Sequence, residues 1–245
     1  MLRDLHACGG CGKQTVCALL DAGAEFPQPQ GVEIRQQEFC ADAPIDVDGD
    51  CLLAVKSGVV KSVCRDAQGN TRVLAFSFAG DLFGLEAMTD AAHGELRHGA
   101  AVSMTTVCRM RLSPDAARRA SPHFCDRLSA ELAARLRDNF AHRQIVAAAA
   151  PVRMAHWLMQ CLRAAQAQRG ARCLSLPAIA RADMASYLHL RAETVSRILS
   201  EFRRKGWVRG PLHRLEVCDA EALAHLARGI GVKSGSASHQ EAMHG

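Results

Sequence analysis

Aromatic residues are scarce in this 245-residue chain: they make up 4% of it, with a single Tyr and two Trp. A core poor in rings must be packed with Leu, Val, Ile, Ala and Met, and an apolar content of 49% supplies enough of them. Long apolar runs are also absent. None reaches the roughly 20 residues that span a bilayer, so no membrane association is expected. The opening residues MLRDLHACGGCGKQ lack the apolar stretch of a secretory leader. A cytoplasmic location is therefore expected, where the eleven cysteines stay as thiols or bind metal rather than pair as disulfides. No nucleotide-binding loop and no catalytic Ser/His/Asp set is found, so the chain is not expected to be an enzyme.

What is present is an uneven distribution of charge. Residues 151–245 hold fourteen Lys/Arg against seven Asp/Glu, a balance of +7, whereas residues 1–150 come to −2. A mildly acidic front joined to a basic rear is the pattern of a sensor fused to a binder of polyanions.

The organisation follows from periodicity. Residues 1–20 are rich in Gly and Cys, and residues 21–50 are scattered with Pro, Gly and Asp. From 51 to 112, short β-favouring runs alternate with turn signals. CLLAVKSGVVKSVCR and TRVLAFSF read as a hairpin across Gly69-Asn70, with Val59, Val60 and Val63 opposite Val73, Leu74 and Phe76. AVSMTTVCRMRL closes an antiparallel roll. The period then changes: Phe124, Leu128, Leu132, Leu136 and Phe140 recur every four residues along one helix that no Pro or Gly interrupts over 123–150. A stripe on so long a helix exceeds what a small roll covers, and a second copy of the helix is the expected partner. Pro151 opens a further helix that Gly170 ends. From about Leu174 the pattern is two short helices, a turn and a hairpin marked by Gly and Pro, followed by a small polar tail.

The two short helices carry a nucleic-acid signal. Arg181–Leu188 turns Met184, Tyr187 and Leu188 inward. After the turn His189-Leu190-Arg191, the helix from Ala192 to Arg203 buries Val195, Ile198, Leu199 and Phe202, which leaves Glu193, Thr194, Ser196 and Arg197 outward. A Glu carboxylate accepts from cytosine N4, and an Arg donates twice to guanine O6 and N7. Arg203, Arg204, Lys205 and Arg209 follow, suited to phosphates, and Gly206–Pro211 fits a β-wing. Ala180 and Arg191 stand at the two N-cap positions, where neither side chain caps well.

Cys8, Cys11 and Cys17 form C-x2-C-x5-C in a Gly-containing segment. Three thiolates are incomplete for tetrahedral zinc or for a cubane cluster. By spacing alone, a zinc site, an iron–sulfur cluster, a thiol redox switch and unliganded Cys all remain open. The remaining Cys (40, 51, 64, 125, 161, 173 and 218) are read as packing residues in strands and helices.

The order roll, long helix, winged helix-turn-helix, together with Glu193-Thr-Val-Ser196-Arg197, resembles the Crp/Fnr family of bacterial regulators over about residues 5–228. The resemblance implies an α+β fold. A cysteine-rich segment at 1–20 precedes a cyclic-nucleotide-binding-like β-roll at 21–120. A dimerisation helix at 121–150, a winged helix-turn-helix at 151–228 and a disordered tail at 229–245 follow. It implies base reading by Glu193, Ser196 and Arg197 on double-stranded DNA, at a palindrome like TTGAT…ATCAA. The cysteine spacing is similar to that of the oxygen-sensing Fnr branch. There a fourth ligand on the last strand of the roll, in a stretch like Ser103–Cys108, completes a 4Fe-4S site, which makes Cys108 the fourth ligand here.

The resemblance further implies a homodimeric activator held by Leu128, Leu132, Leu136 and Phe140. Asp138 matches a carboxylate that opposes dimerisation in that branch, and RNA polymerase is a partner near Gly69. Gly80-Asp81-Leu-Phe-Gly84-Leu-Glu86 looks like the start of the family's phosphate-binding cassette. Arg97-His98-Gly99-Ala100, however, lacks the hydroxyl that grips a cyclic phosphate, so no cyclic nucleotide is expected. Two alternatives stand beside this reading: a regulator of the same type with a zinc or thiol sensor, and an iron–sulfur electron carrier or enzyme.

Overall fold

A computed structural model describes residues 32–47, 51–65, 69–84, 98–112, 122–169 and 178–229. Eight strands come first: β1 (Val32–Phe39), β2 (Pro44–Ile45), β3 (Cys51–Ser57), β4 (Val59–Arg65), β5 (Thr71–Phe78), β6 (Leu82–Phe83), β7 (His98–Ala101) and β8 (Thr105–Leu112). They form two four-stranded antiparallel sheets, ordered β1-β8-β3-β6 and β2-β7-β4-β5. Alternate residues of both sheets (Cys51, Leu53, Val55 and Val107 from one, Ile45, Val60 and Ala101 from the other) meet in one buried cluster. The expected β-roll is therefore present.

The run CLLAVKSGVVKSVCR is two strands, because Gly58 adopts φ +86° between them. A Cβ there would lie 2.5 Å from Thr105 Oγ1 and 2.6 Å from the Met104 carbonyl oxygen. Thr105 is fully buried and its hydroxyl bonds both the N–H and the C=O of Val59, so the crossing is pinned by side chain and backbone together. In the β4–β5 hairpin, Val63 pairs with Val73 as expected. A register shift at Ser62/Val63 sets Val60 opposite Ser77 and Val59 opposite Phe78, instead of the facing apolar rows inferred from sequence.

The helical part follows: α1 (Pro122–Val146), α2 (Ala150–Arg169), α3 (Arg181–Tyr187), α4 (Ala192–Arg204), β9 (Val208–Arg209), a 3-10 turn at Leu212–Arg214, β10 (Glu216–Val217) and α5 (Ala220–Arg228). The long helix ends at Val146, short of the expected residue 150. α5 was not anticipated. It is short, but Asp219 caps it by accepting from the Ala222 N–H at 2.9 Å, and Leu223 is its buried anchor. Among the described residues no helix is long and apolar enough to cross a membrane.

The second core joins the two halves of the chain. Met154, Trp157, Leu158 and Cys161 of α2 pack with Met184 and Tyr187 of α3 and with Val195, Ile198, Leu199 and Phe202 of α4, and the same cluster takes in Val59, Val73 and Phe76 from the roll. Strand β4 thus has two apolar faces, Val60 turned to the roll interior and Val59 to the helices, while β5 turns Val73 and Phe76 to the helices.

Candidate nucleic-acid interface

Helix α4 is built from alternating obligations. Val195, Ile198, Leu199 and Phe202 are buried at helical spacing, so the residues between them must face outward. Glu193 and Arg197 are exposed, and Thr194 and Ser196 are half-buried. The Ser196 hydroxyl donates to the Ala192 carbonyl at 3.0 Å, one turn back. Its proton is thereby occupied and its lone pairs remain able to accept, which suits an amino group on a base edge. Glu193 sits in the first turn, where its charge favours the helix dipole. Neither Arg191 before α4 nor Ala180 before α3 makes a side-chain cap, and each omission costs about 1 kcal/mol.

The turn between α3 and α4 is tight. Leu190 N–H reaches back to the Ala185 carbonyl at 2.9 Å, and His189 takes φ +52°. From α2, Arg153 donates Nη1 to the carbonyls of Leu188 and His189 at 2.8 and 3.1 Å. His142 of α1 stacks on Tyr187 with ring centroids 4.3 Å apart. Burial, then the charge of His189, holds the His142 pKa below its usual value; burial, then Arg72 and Arg153, does the same for His189.

The four basic residues expected to meet phosphates divide by what they already hold. Lys205 pairs with Glu201 at 2.7 Å and lies 4.6 Å over the Trp207 ring. Arg209 pairs with Glu216 across the two-stranded wing. Arg203 donates Nε to the Gly210 carbonyl at 3.0 Å, which ties the wing to the end of α4. Arg204 is exposed in the last turn. Gly210 takes φ +83°, and a Cβ there would lie 2.5 Å from the Arg214 carbonyl oxygen, so the wing is closed by a position that only glycine fills easily.

The seam residues behave differently from the core. Leu128 is half-buried, while Leu132, Leu136 and Phe140 remain 42, 58 and 64% exposed on α1, and Asp138 is exposed beside them. Cys108 sits on β8 between Gln36 and Ala54. It is buried at 6% exposure, on the sheet face opposite the one that carries Val107. Cys8, Cys11 and Cys17 lie outside the described residues, as do Glu86, Arg97 and the tail beyond Gly229. Among the described residues no three His, Cys, Asp or Glu side chains form a metal-sized group.

Of the cysteines assigned to packing, Cys51 and Cys161 are buried, and burial pushes the Cys161 thiol well up. Cys40, Cys125 and Cys218 are exposed, which corrects that assignment for them; Cys40 and Cys218 also lie just outside strands.

Sequence reasoning missed the residues that fasten this unit to the roll, Lys61, Asp183 and Ser186. The spacing of a polar residue in a strand carries no sign of a partner more than a hundred positions away.

The fold and its exposed helix define a winged helix-turn-helix DNA-binding protein carried behind a cyclic-nucleotide-binding-like β-roll. Residues 152–226 match the Crp-like helix-turn-helix domain. The chain is 28% identical over 186 residues to the CRP-like cAMP-activated global transcriptional regulator of Mycobacterium tuberculosis, covering 74% of this chain and 81% of that one. It is 28% identical over 179 residues to the fumarate and nitrate reduction regulatory protein of Escherichia coli, covering 72% and 70%. The structure of FixK2 from Bradyrhizobium japonicum superposes with a TM-score of 0.66 at 26% identity, over 79% of this chain and 97% of that one. Over these spans the chain is similar to DNA-binding transcription regulators of the Crp/Fnr type.

Proposed function

We propose that the protein is an oxygen-responsive regulator that binds a palindromic, TTGAT-like DNA site as a homodimer in the cytoplasm. The observation that carries the DNA reading is α4, with four side chains buried on one face and Glu193, Ser196 and Arg197 turned to the other. In this reading those three residues read base edges, with Thr194 and the Arg203, Arg204, Lys205 and Arg209 group in support. RNA polymerase meets the protein near the open hairpin turn at Gly69, where an added Cβ would touch nothing within 4 Å.

Dimerisation rests on the exposed Leu132–Leu136–Phe140 stripe. Two such helices side by side cover each other's apolar surface and set the recognition helices about 34 Å apart, one turn of DNA. Asp138 would place like charges near that seam and so keep the association weak enough to be regulated.

Cys8, Cys11, Cys17 and Cys108 are proposed to hold a 4Fe-4S cluster. Four thiolates are the donor set such a cluster requires, and Cys108 comes from a strand hydrogen-bonded on both sides, which holds a ligand in place. When bound, the group supplies oxygen-labile iron–thiolate chemistry. The protein's own part is to link the amino-terminal segment to β8 of the roll.

Cyclic nucleotide is not the proposed effector. His98–Ala101 is strand β7, paired on both sides, and a Cβ at Gly99 would lie 3.2 Å from Ile45 Cβ, so this segment is packed as sheet. The cAMP-activated mycobacterial relative keeps that alternative as a second reading.

Anaerobically purified protein should contain iron and sulfide, and air should bleach it and weaken binding to a TTGAT…ATCAA duplex; Cys108→Ala should remove both properties. Zinc without iron, with air-insensitive binding, overturns the oxygen reading. Tighter binding on adding cyclic AMP favours the second one.

A further inference from the structure

The DNA-binding unit is held to the roll by directional contacts as well as by the α1–α2 connection. Lys61, on β4, donates Nζ to Asp183 Oδ2 at 2.8 Å, and Asp42 lies at 3.4 Å. The Lys61 and Asp183 side chains are only 15 and 19% exposed. Burial opposes the charge on Lys61, but the bond to Asp183 and the nearby carboxylates of Asp183 and Asp42 more than offset it. Its pKa is raised, so the lysine keeps its charge. One turn along α3, Ser186 Oγ accepts the Val73 N–H of β5 at 2.9 Å. Positions 183 and 186 share a helix face, so neighbouring strands each grip α3 at one of two points a turn apart.

The surrounding apolar contacts, including Phe76 edge-on to Tyr187 at 5.2 Å, hold α3 against the roll. Apolar burial is non-directional and leaves the rotation and slide of a helix loosely defined. Two polar contacts at fixed points define both. The tight turn at His189–Leu190 then passes the orientation of α3 on to α4.

We propose that Lys61 and Ser186 are positioning residues for DNA recognition: through Asp183 and the Val73 backbone they set the angle of the recognition helix relative to the roll. The spacing tolerated between half-sites is then governed by a residue of the sensor half. This rests on the dimeric, palindromic reading above.

The test is a series of duplexes with the half-sites at their natural separation and one base pair nearer or farther. One base pair displaces a half-site by about 3.4 Å and rotates it by about 35°. Full-length protein should lose about 100-fold in affinity on either shifted site, measured by fluorescence anisotropy. Lys61→Met combined with Ser186→Ala should lose about 10-fold on the natural site but discriminate the shifted sites by less than about 5-fold. Lys61→Arg, which keeps the positive charge facing Asp183 and Asp42, should retain most of the wild-type discrimination.

A purely structural role would lower binding at every spacing in proportion and leave the ratios unchanged; that result overturns the proposal. If the double variant does not melt cooperatively, the two single variants carry the same comparison. Wild-type protein that binds one half-site as a monomer sinks the dimeric reading and this proposal with it. Wild-type discrimination matched by the variant sinks this proposal alone.

Discussion

Replacing Phe140 with Ala separates association from folding. Phe140 leaves 64% of its surface exposed on α1. A Phe side chain presents about 200 Å², so about 130 Å² of it is open to water. If a partner helix covers half of that, the contact contributes about 1.6 kcal/mol per subunit at 25 cal/mol per Å². A two-fold dimer counts it twice, about 3 kcal/mol, which is about a hundredfold in the dimer dissociation constant. The isolated subunit should hardly notice, because the ring is already exposed, and a change within about 0.5 kcal/mol is expected. Leu199→Ala is the opposite control: that residue is 2% exposed in the helical core, and its truncation should cost about 2–5 kcal/mol of stability. Sedimentation equilibrium reads the association, and thermal unfolding at low protein concentration reads the fold. A dissociation constant unchanged within threefold in Phe140→Ala refutes the assignment of α1 as the seam.

Four further outcomes are expected. Arg197→Ala should lose about 1–3 kcal/mol on a matched site and relax base preference. Arg204→Ala should lower the slope of log affinity against log salt by about 1 without altering preference, and Lys205→Ala should lower it less, because Glu201 already pairs with that lysine. The histidines give a pH dependence. With His142 and His189 held below the usual 6.5 by burial and neighbouring charge, the unfolded chain takes up protons first as pH falls. Stability should therefore be level above about pH 6.5 and decline below it towards the lowered folded values. Melting temperatures at pH 7.5 and 5.5 check this, and His142→Phe should narrow the difference. Gly210→Ala should destabilise by at least about 1 kcal/mol, since it forces a left-handed residue against the Arg214 carbonyl. It should also weaken DNA binding through the wing, with calorimetry and anisotropy as the two readings.

Much of the site could be read locally. The four-residue spacing of Val195, Ile198, Leu199 and Phe202 states which face of α4 is buried, and the outward identity of Glu193 and Arg197 follows by geometry alone. The uncapped starts at Ala180 and Arg191 were also legible. The split of the strand run at Gly58 was less so, because it depends on Thr105 standing close to that backbone, forty-seven positions away in sequence. The register of the β4–β5 hairpin depended on a bulge that alternation does not announce.

The amino-acid order by itself determined the long helix, the two short helices of the DNA-binding unit and the faces these present, since helical periodicity is a property of neighbouring residues and needs no knowledge of the rest of the chain. Tertiary structure alone decided which polar groups are already engaged. Lys205, Arg209 and Arg203 are occupied around the wing, the Ser196 proton is turned back to Ala192, and Lys61 finds Asp183 across 122 positions. The reason is that a charge or hydroxyl tells nothing of its partner until burial removes water as the alternative, and only the packed fold brings distant residues to hydrogen-bond distance.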